Sequence, residues 1–453
     1  MTNDTTIAVV GCGYVGLVTA VGLAEQGLRV RAYDRDRARV EACRELRFPM
    51  LEPGLREAAA AAGDRLTFHD VAEEPWSRAD FTFMAVPTPQ GDRGAPDLSM
   101  LREALLWVAE ANEPLGPDNV IVIRSTVPPG TARWASAEVE RIMGAQAPVV
   151  ANPEFLQEGR ALQDFRQPSR ILIGSEDVGA AHRLRDLMSF TGAPILITDS
   201  STAELAKYGS NAFLAMRVSF ANELARLAER EGADPLFTLQ AVGMDPRIGP
   251  RYLRPGLGYG GSCLPKDVAA LVSMGAAWGE PMALMRATQD VNDQQGRRIL
   301  DLLTERLDGL RDRRIAVLGL AFKPGTNDIR DSPGLRLAVE LAAAGATVTA
   351  WDAAVTQDLL ARTAGAPTLA NDPVEALTGA DAAVLSTEWP EVVELDLARA
   401  AAVMRGTLLV DGRYGWDRAR ATEAGLELVR IGTPDASEQA DSTAGSPPRK
   451  GLP

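Results

Sequence analysis

The stretch from Ile7 to Asp34 constrains this chain more than any other. Ile7-Ala8-Val9-Val10 is a short apolar run of the kind that forms a buried parallel strand. Gly11-Cys12-Gly13-Tyr14-Val15-Gly16 follows at once, then an apolar helical stretch from Leu17 to Gln26 that Gly27 closes. Arg29-Val30-Arg31-Ala32-Tyr33 alternates as a second strand and ends in Asp34. Each part has a physical task. Gly11 permits a tight turn, Gly13 lets the backbone approach a pyrophosphate, and Gly16 lets the helix pack close on the sheet. The helix N-terminus offers amide donors and a positive dipole end to phosphates. Asp34 is placed to bind ribose hydroxyls and to repel a 2′-phosphate, which predicts NAD rather than NADP as the cofactor.

Strands and helices alternate to about residue 199. Asp80 to Val86, Val120 to Ile123 and Pro148 to Ala151 read as strands. They end in Pro87-Thr88-Pro89, Arg124-Ser125-Thr126-Val127-Pro128-Pro129-Gly130-Thr131 and Asn152-Pro153-Glu154-Phe155-Leu156. In an open parallel sheet, ligands bind beyond such carboxyl ends. From 200 to about 308 the pattern turns helical, interrupted by an irregular Gly-, Pro- and Arg-rich loop from Gly243 to Cys263. The first helix of that section, at 201–231, carries a long apolar stripe, which needs a partner: a second copy of the chain in a dimer, or other segments of its own chain. A second α/β pattern runs from 309 to 432. It opens on Arg313 to Leu320, but Gly319 lacks the other glycines of the first turn. The expected architecture is α/β: two Rossmann-like doubly wound domains, at 1–199 and 309–432, joined by a central all-helical section at 200–308. Residues 433–453 have the composition of a disordered tail.

Composition narrows the function classes. The chain has 453 residues, enough for about three domains at roughly 150 residues each. A net charge of −14 argues against a nucleic-acid partner. No apolar run approaches the roughly 18 residues that span a membrane. The polar start, Met1 to Thr6, predicts no secretory signal. Three cysteines and two histidines predict neither a disulfide framework nor a metal site, and point to a reducing cytoplasm. Of the 47 basic residues only four are lysine: Lys207, Lys266, Lys323 and Lys450. The first three fall in the most motif-like stretches. A lysine is a compact charge that can lose its proton when buried, which an arginine cannot.

Seven motifs now stand in order. They are Gly11 to Leu17, Val86 to Pro89, Ser125 to Thr131, Asn152 to Leu156, Lys207-Tyr208 with Asn211, Gly260 to Asp267, and Ala321 to Thr326 with Asp328 and Arg330. Together they resemble the UDP-glucose/GDP-mannose dehydrogenase family over essentially the whole chain to about 432. The resemblance implies oxidation of a nucleotide sugar at its C6 alcohol to a carboxylate, with two NAD per turnover. The motif context around Cys263 favours UDP-glucose over GDP-mannose as substrate. It also implies a homodimer, or higher homo-oligomer, built on the long helix.

Removing four electrons from an alcohol passes through an aldehyde that should not escape. A thiolate adds to it, the adduct gives up a second hydride, and water cleaves the thioester. Cys263, just before Pro265 at a helix start and near Lys266, suits that role. Cys43 reads as an inert buried thiol, and Cys12 has no catalytic part. Lys207 and Asn211, four apart on one helix, aim two donors at one spot and suit an oxyanion. The resemblance assigns Glu154 as general acid/base and Asp267 as the group that orients water. It sets Thr126 against water or cofactor and Glu158 beside the nicotinamide. It extends the cofactor contacts from Gly11, Gly13, Tyr14, Val15, Gly16 and Asp34 to Arg39, Pro87, Thr88, Ser125, Lys266 and Arg330. Tyr252, Arg254, Gly258, Tyr259 and Gly260, with Lys323 and Arg413, are the expected substrate contacts, joined by Phe155 and Leu156. Arg247 is expected to reach a partner subunit's site. Two other classes remain open. A two-electron hydroxyacid dehydrogenase shares the first unit and Lys207/Asn211 but needs neither Cys263 nor residues 309–432. A non-enzymatic NAD-binding regulator needs no nucleophile.

Overall fold

A computed structural model describes residues 5–111, 115–116, 118–144 and 147–433. The expected tail lies outside the described residues from 434 onward. Two sheets organise the chain. The first contains β1 (Thr6–Val10), β2 (Arg29–Asp34), β3 (Leu66–Asp70), β4 (Phe81–Met84), β5 (Val120–Ile123), β6 (Val149–Ala151), β7 (Ile171–Gly174) and β8 (Ile195–Thr198). Its spatial order is β3-β2-β1-β4-β5-β6-β7-β8. The pairs are parallel except β6 with β7, which meet antiparallel through Ala151 and Gly174. The second contains β9 (Arg314–Leu318), β10 (Thr347–Trp351), β11 (Thr368–Leu369), β12 (Ala382–Leu385), β13 (Leu408–Asp411) and β14 (Glu427–Arg430). It is parallel in the order β11-β10-β9-β12-β13-β14. Both reverse direction of addition beside their first strand, which leaves a crevice at the strand carboxyl ends.

The short apolar runs become strands because both faces of each sheet are covered. Ile7 and Val9 belong to one buried cluster and Ala8 and Val10 to another, so alternate side chains of β1 pack on opposite faces. The helix Tyr14–Glu25 is buried from Gly16 through Ala24, which explains why it is apolar all round. It stops where Gly27, at φ +86°, donates to the Ala24 carbonyl.

The helical stretch expected at 201–231 is one helix, Ser200–Glu231. Helices Pro235–Gly243, Leu264–Ala277 and Ala283–Arg306 follow. The chain forms two compact units: Met1–Asn211 with Ala269–Pro281, and Ala212–Val268 with Met282–Pro453. Among the described residues no helix is long and apolar enough to cross a membrane.

The second sheet repeats the first one's turn without its sequence signature. Gly319, at φ +106°, donates to the Trp351 carbonyl at 2.7 Å, as Gly11, at φ +101°, donates to Tyr33 at 2.7 Å. A Cβ on Gly334 would lie 2.6 Å from the Gly319 carbonyl oxygen, and one on Gly16 would lie 1.8 Å from that of Gly11. Gly334 therefore does for the helix Pro333–Ala343 what Gly16 does for the first helix. The segment between Gly319 and that helix is much longer than in the first turn, so the glycine spacing is unrecognisable in sequence.

Candidate functional site

The first unit carries the dinucleotide turn. A Cβ on Gly11 would meet the Ala85 carbonyl oxygen at 2.7 Å, whereas one on Gly13 meets nothing within 4 Å. Gly11 is thus required by the turn itself, and Gly13 faces open space where a pyrophosphate can approach. Asp34 is buried at the end of β2. It accepts from the Cys12 amide at 2.7 Å, the Asp36 amide at 2.9 Å and Arg39 Nη1 at 3.2 Å. A carboxylate has about four acceptor positions, so Asp34 retains one for a ribose hydroxyl. Its counterpart Asp352 does not. Asp352 takes five donors: the amides of Leu320, Ala321, Ala354 and Val355, and Trp389 Nε1. The first turn fits a dinucleotide, and the second has its acid fully engaged by the protein.

Tyr14 and Val15 open the first helix. The Tyr14 hydroxyl donates to Glu52 and accepts from the Gly159 amide at 2.7 Å. Glu52 also accepts from Gly159 and Leu162. Glu158 is half-buried immediately before this contact, so the glycine turn and the Glu154–Glu158 loop are fastened together. The other strand-end loops are laced likewise. Ser125 Oγ donates to the Val86 carbonyl at 2.6 Å, and Thr88 Oγ1 donates to the Thr126 carbonyl at 2.8 Å. Pro87 lies exposed between them.

Glu154 and Lys207 meet in the same unit. Lys207 Nζ donates to Glu154 Oε1 at 2.8 Å with both side chains buried. Burial alone would push the Glu154 carboxyl up. Lys207, the Leu156 amide and the Arg124 guanidinium outweigh it and hold Glu154 below the ordinary glutamate value. Lys207 Nζ also lies 5.3 Å from the Phe155 ring centroid. Asn211, one turn along the helix from Lys207, is buried.

The second unit carries Cys263, Lys266 and Asp267. Cys263 stands immediately before the helix Leu264–Ala277, with Pro265 in its first turn. The Cys263 carbonyl accepts from the Asp267 amide at 3.0 Å, and Asp267, fully buried, pairs with Lys266 at 2.5 Å. The loop before Cys263 is pinned by three buried amides. Asn222 Oδ1 accepts from Gly256 N, Gln295 Nε2 donates to Gly256 O, and Asn292 bonds both the amide and carbonyl of Tyr259. Gly258, at φ +105°, leaves no room for a side chain because a Cβ would sit 2.4 Å from Asn292 Oδ1.

Further expected contacts are spread around this unit. Arg254 donates to the Tyr414 carbonyl at 3.0 Å, and Arg413 to the Ser386 carbonyl at 2.6 Å. A Cβ on Gly260 would meet the Asp331 carbonyl at 2.3 Å. Lys323 is half-buried beside the Phe322 ring, and Tyr252 lies at φ +63°. Arg330 forks Asp328, and Arg247 forks Asp245 with its side chain 88% exposed. Cys43 and Cys12 are both buried, and burial raises both thiols. Among the described residues no cluster of His, Cys, Asp and Glu could hold a metal.

Sequence reasoning missed the supports. Arg124 is buried, bonds Asn152 through its carbonyl and side chain, and adds a second positive charge facing Glu154. Its signal was present: a charged residue directly follows the four apolar residues of β5. Asn292 and Gln295 are polar residues one turn apart in the buried row of the helix Ala283–Arg306.

Comparison with known proteins matches three domain descriptions of one family. "UDP-glucose/GDP-mannose dehydrogenase family, NAD binding domain" matches residues 5–190, the central domain 201–294, and the UDP binding domain 316–418. The chain is 40% identical to a UDP-glucose 6-dehydrogenase of Rhizobium meliloti, covering 95% of this chain and all of the relative. It is 39% identical to that of Pseudomonas aeruginosa, covering 97% and 100%. A solved UDP-glucose dehydrogenase from the archaeon Pyrobaculum islandicum superposes with a TM-score of 0.86 at 40% identity, covering 95% of this chain and 98% of that one.

Proposed function

The chain belongs to the UDP-glucose/GDP-mannose dehydrogenase family, and from that membership we propose that it oxidises UDP-glucose to UDP-glucuronate. Each turnover takes one sugar, one water and two NAD+, and yields the carboxylate, two NADH and three protons. Cys263 at a helix start is the observation that most favours this four-electron oxidation over a two-electron one. A hydroxyacid dehydrogenase has no use for that nucleophile.

Bound NAD+ supplies a hydride acceptor. Gly11, Gly13, the Tyr14 and Val15 amides, Asp34 and Arg39 would hold it, flanked by Pro87, Thr88, Ser125, Thr126, Glu158, Lys266 and Arg330. Lys207 and Asn211 stabilise the alkoxide as O6 gives up its proton to solvent water and C6 its first hydride. The Cys263 thiolate, favoured by the helix dipole and Lys266, adds to the aldehyde carbon. Lys207 and Asn211 again bear the oxyanion while the second hydride leaves and a thioester forms. Glu154 takes a proton from a water oriented by Asp267. The water oxygen attacks the thioester carbonyl and expels the Cys263 thiolate, which restores the enzyme. The ion pair with Lys207 keeps Glu154 ionised and so able to act as base.

Arg254, Lys323 and Arg413 offset the diphosphate, with Tyr252, Gly258, Tyr259 and Gly260 shaping the sugar-nucleotide contact and Phe155 and Leu156 the sugar side. Leu205, Phe213, Phe220 and Leu227 are exposed along the long helix within an arc of roughly 80°. A second copy of the chain covers this stripe in the dimer, where Arg247 serves the partner's site. Free cysteines throughout suit a reducing cytoplasm.

The test is NADH formed per limiting sugar. Two NADH from UDP-glucose, and none from GDP-mannose or UDP-N-acetylglucosamine, are expected. Two from GDP-mannose alone would keep the mechanism and overturn the substrate. One NADH from any sugar would overturn the thioester route.

A further inference from the structure

The mechanism leaves unused one buried carboxylate close to its lysine. Glu204 lies on the long helix, one turn before Lys207, and is 2% exposed. Its Oε2 accepts from the Gly130 amide at 2.6 Å and its Oε1 from the Ala132 amide at 2.8 Å. These donors belong to the start of the helix Thr131–Met143, whose first amides have no partner within the helix. Gly130, at φ +93°, turns the chain so that both amides face one side. Thr131 Oγ1 donates back to the Pro128 carbonyl at 2.6 Å and closes the turn. At its other end this turn is Ser125-Thr126, bonded to Val86 and Thr88. A continuous set of bonds therefore runs from Glu204 through the turn to both cofactor loops.

We infer that Glu204 is a positioning residue that fastens the Thr126–Thr131 turn to the lysine-bearing helix and so holds the cofactor loops ready for the dinucleotide. The inference rests on the proposed use of NAD. A neutral residue could fill the space, but only an ionised carboxylate presents two acceptor oxygens to two amides. Burial pushes its carboxyl up to about 7 against the opposing amide bonds, and Glu176 adds repulsion from the segment after β7. The nearby cations are engaged elsewhere: Arg133 of the facing helix with Ser201, and Lys207 with Glu154. Ionising a carboxyl that burial has raised favours its exposure to water, so the turn opens more readily as pH rises through about 7.

The experiment is equilibrium binding of NADH to the full chain, without sugar, followed by nucleotide fluorescence at pH 7.5. E204Q, which has one acceptor oxygen for the two amides, should bind about fivefold more weakly than wild type. Its affinity for UDP-glucose, read by calorimetry, should stay within twofold. E204Q binding NADH within twofold of wild type overturns the inference. Hydrogen exchange of wild type, corrected for intrinsic rate, tests it without any variant. Peptides spanning 126–135 should open severalfold more at pH 8 than at pH 6, and equal protection overturns it. Wild type that fails to bind NADH overturns the proposed function and this inference with it. NADH binding that ignores residue 204 overturns this inference alone.

Discussion

Lys207 Nζ lies 2.8 Å from Glu154 Oε1, and neither side chain is more than 6% exposed. A buried ion pair is a poor source of stability, because desolvation offsets most of the attraction, but breaking one side is expensive. With Arg124 also facing Glu154, the trio carries net positive charge. Such a site keeps its carboxylate ionised and leaves a cation to meet a developing oxyanion.

Lys207→Ala should therefore act on rate and stability together. The loss of an oxyanion donor should lower kcat by about 10²–10³. The carboxylate left buried should cost about 3–5 kcal/mol in denaturant unfolding. Lys207→Arg should restore part of the stability and little of the rate, because the planar guanidinium cannot place a compact charge at the position of the lysine ammonium. Steady-state kinetics beside urea titrations check both.

Cys263→Ser should bind NAD+ and UDP-glucose within about threefold of wild type and fail to turn over, with kcat lowered by about 10³ or more. Rapid-quench analysis should find at most one NADH per active site. Full turnover by the serine variant would remove the covalent route.

Glu154 and Glu204 should shift stability with pH in opposite senses. Glu154 is held below its ordinary value of 4.5, so the folded state binds fewer protons there. Its contribution is present above 4.5 and lost as pH falls through the folded value. Glu204 is raised to about 7, so its contribution is present below 4.5 and lost as pH rises from 4.5 through about 7. Denaturant midpoints should show Glu154→Gln flattening the acid limb, and Glu204→Gln flattening the decline toward pH 8.

Asp34→Ser should relax the preference for NAD over NADP by roughly tenfold, about 1.4 kcal/mol of differential binding. The carboxylate that repels a 2′-phosphate is gone, and Arg39 loses one of its two carboxylate partners and keeps Asp36. The same change removes an acceptor for the Cys12 and Asp36 amides, so a lower melting temperature should accompany it.

A Phe213→Asp/Phe220→Asp double variant should sediment as a monomer at micromolar concentration with its helical content retained. Both residues are exposed on the long helix, so neither substitution disturbs a packed core.

Local pattern carried a large part of the architecture. The glycine turn, both strands around it and the acid at Asp34 lie within one short segment, where each residue's task follows from its nearest neighbours. The helix at 200–231, the break before Met282 and the strands at 315 and 382 follow from periodicity in the same way. What the chain alone left unread depends on residues far apart. Glu154 and Lys207 are 53 positions apart and Glu204 and Gly130 are 74 apart, and only the packing of helix on sheet makes each pair. Gly334 became the equivalent of Gly16 only when a long segment folded away between it and Gly319. The amides of Asn292 and Gln295 look like ordinary surface polarity until the loop at Gly256–Tyr259 is laid against them. Sequence periodicity reports which face of an element is buried, because that is set by the element's own geometry. Which partner meets a buried polar group is set by long-range contacts. The cost of leaving such a group unsatisfied is what selects them, and only the tertiary structure decides where they fall.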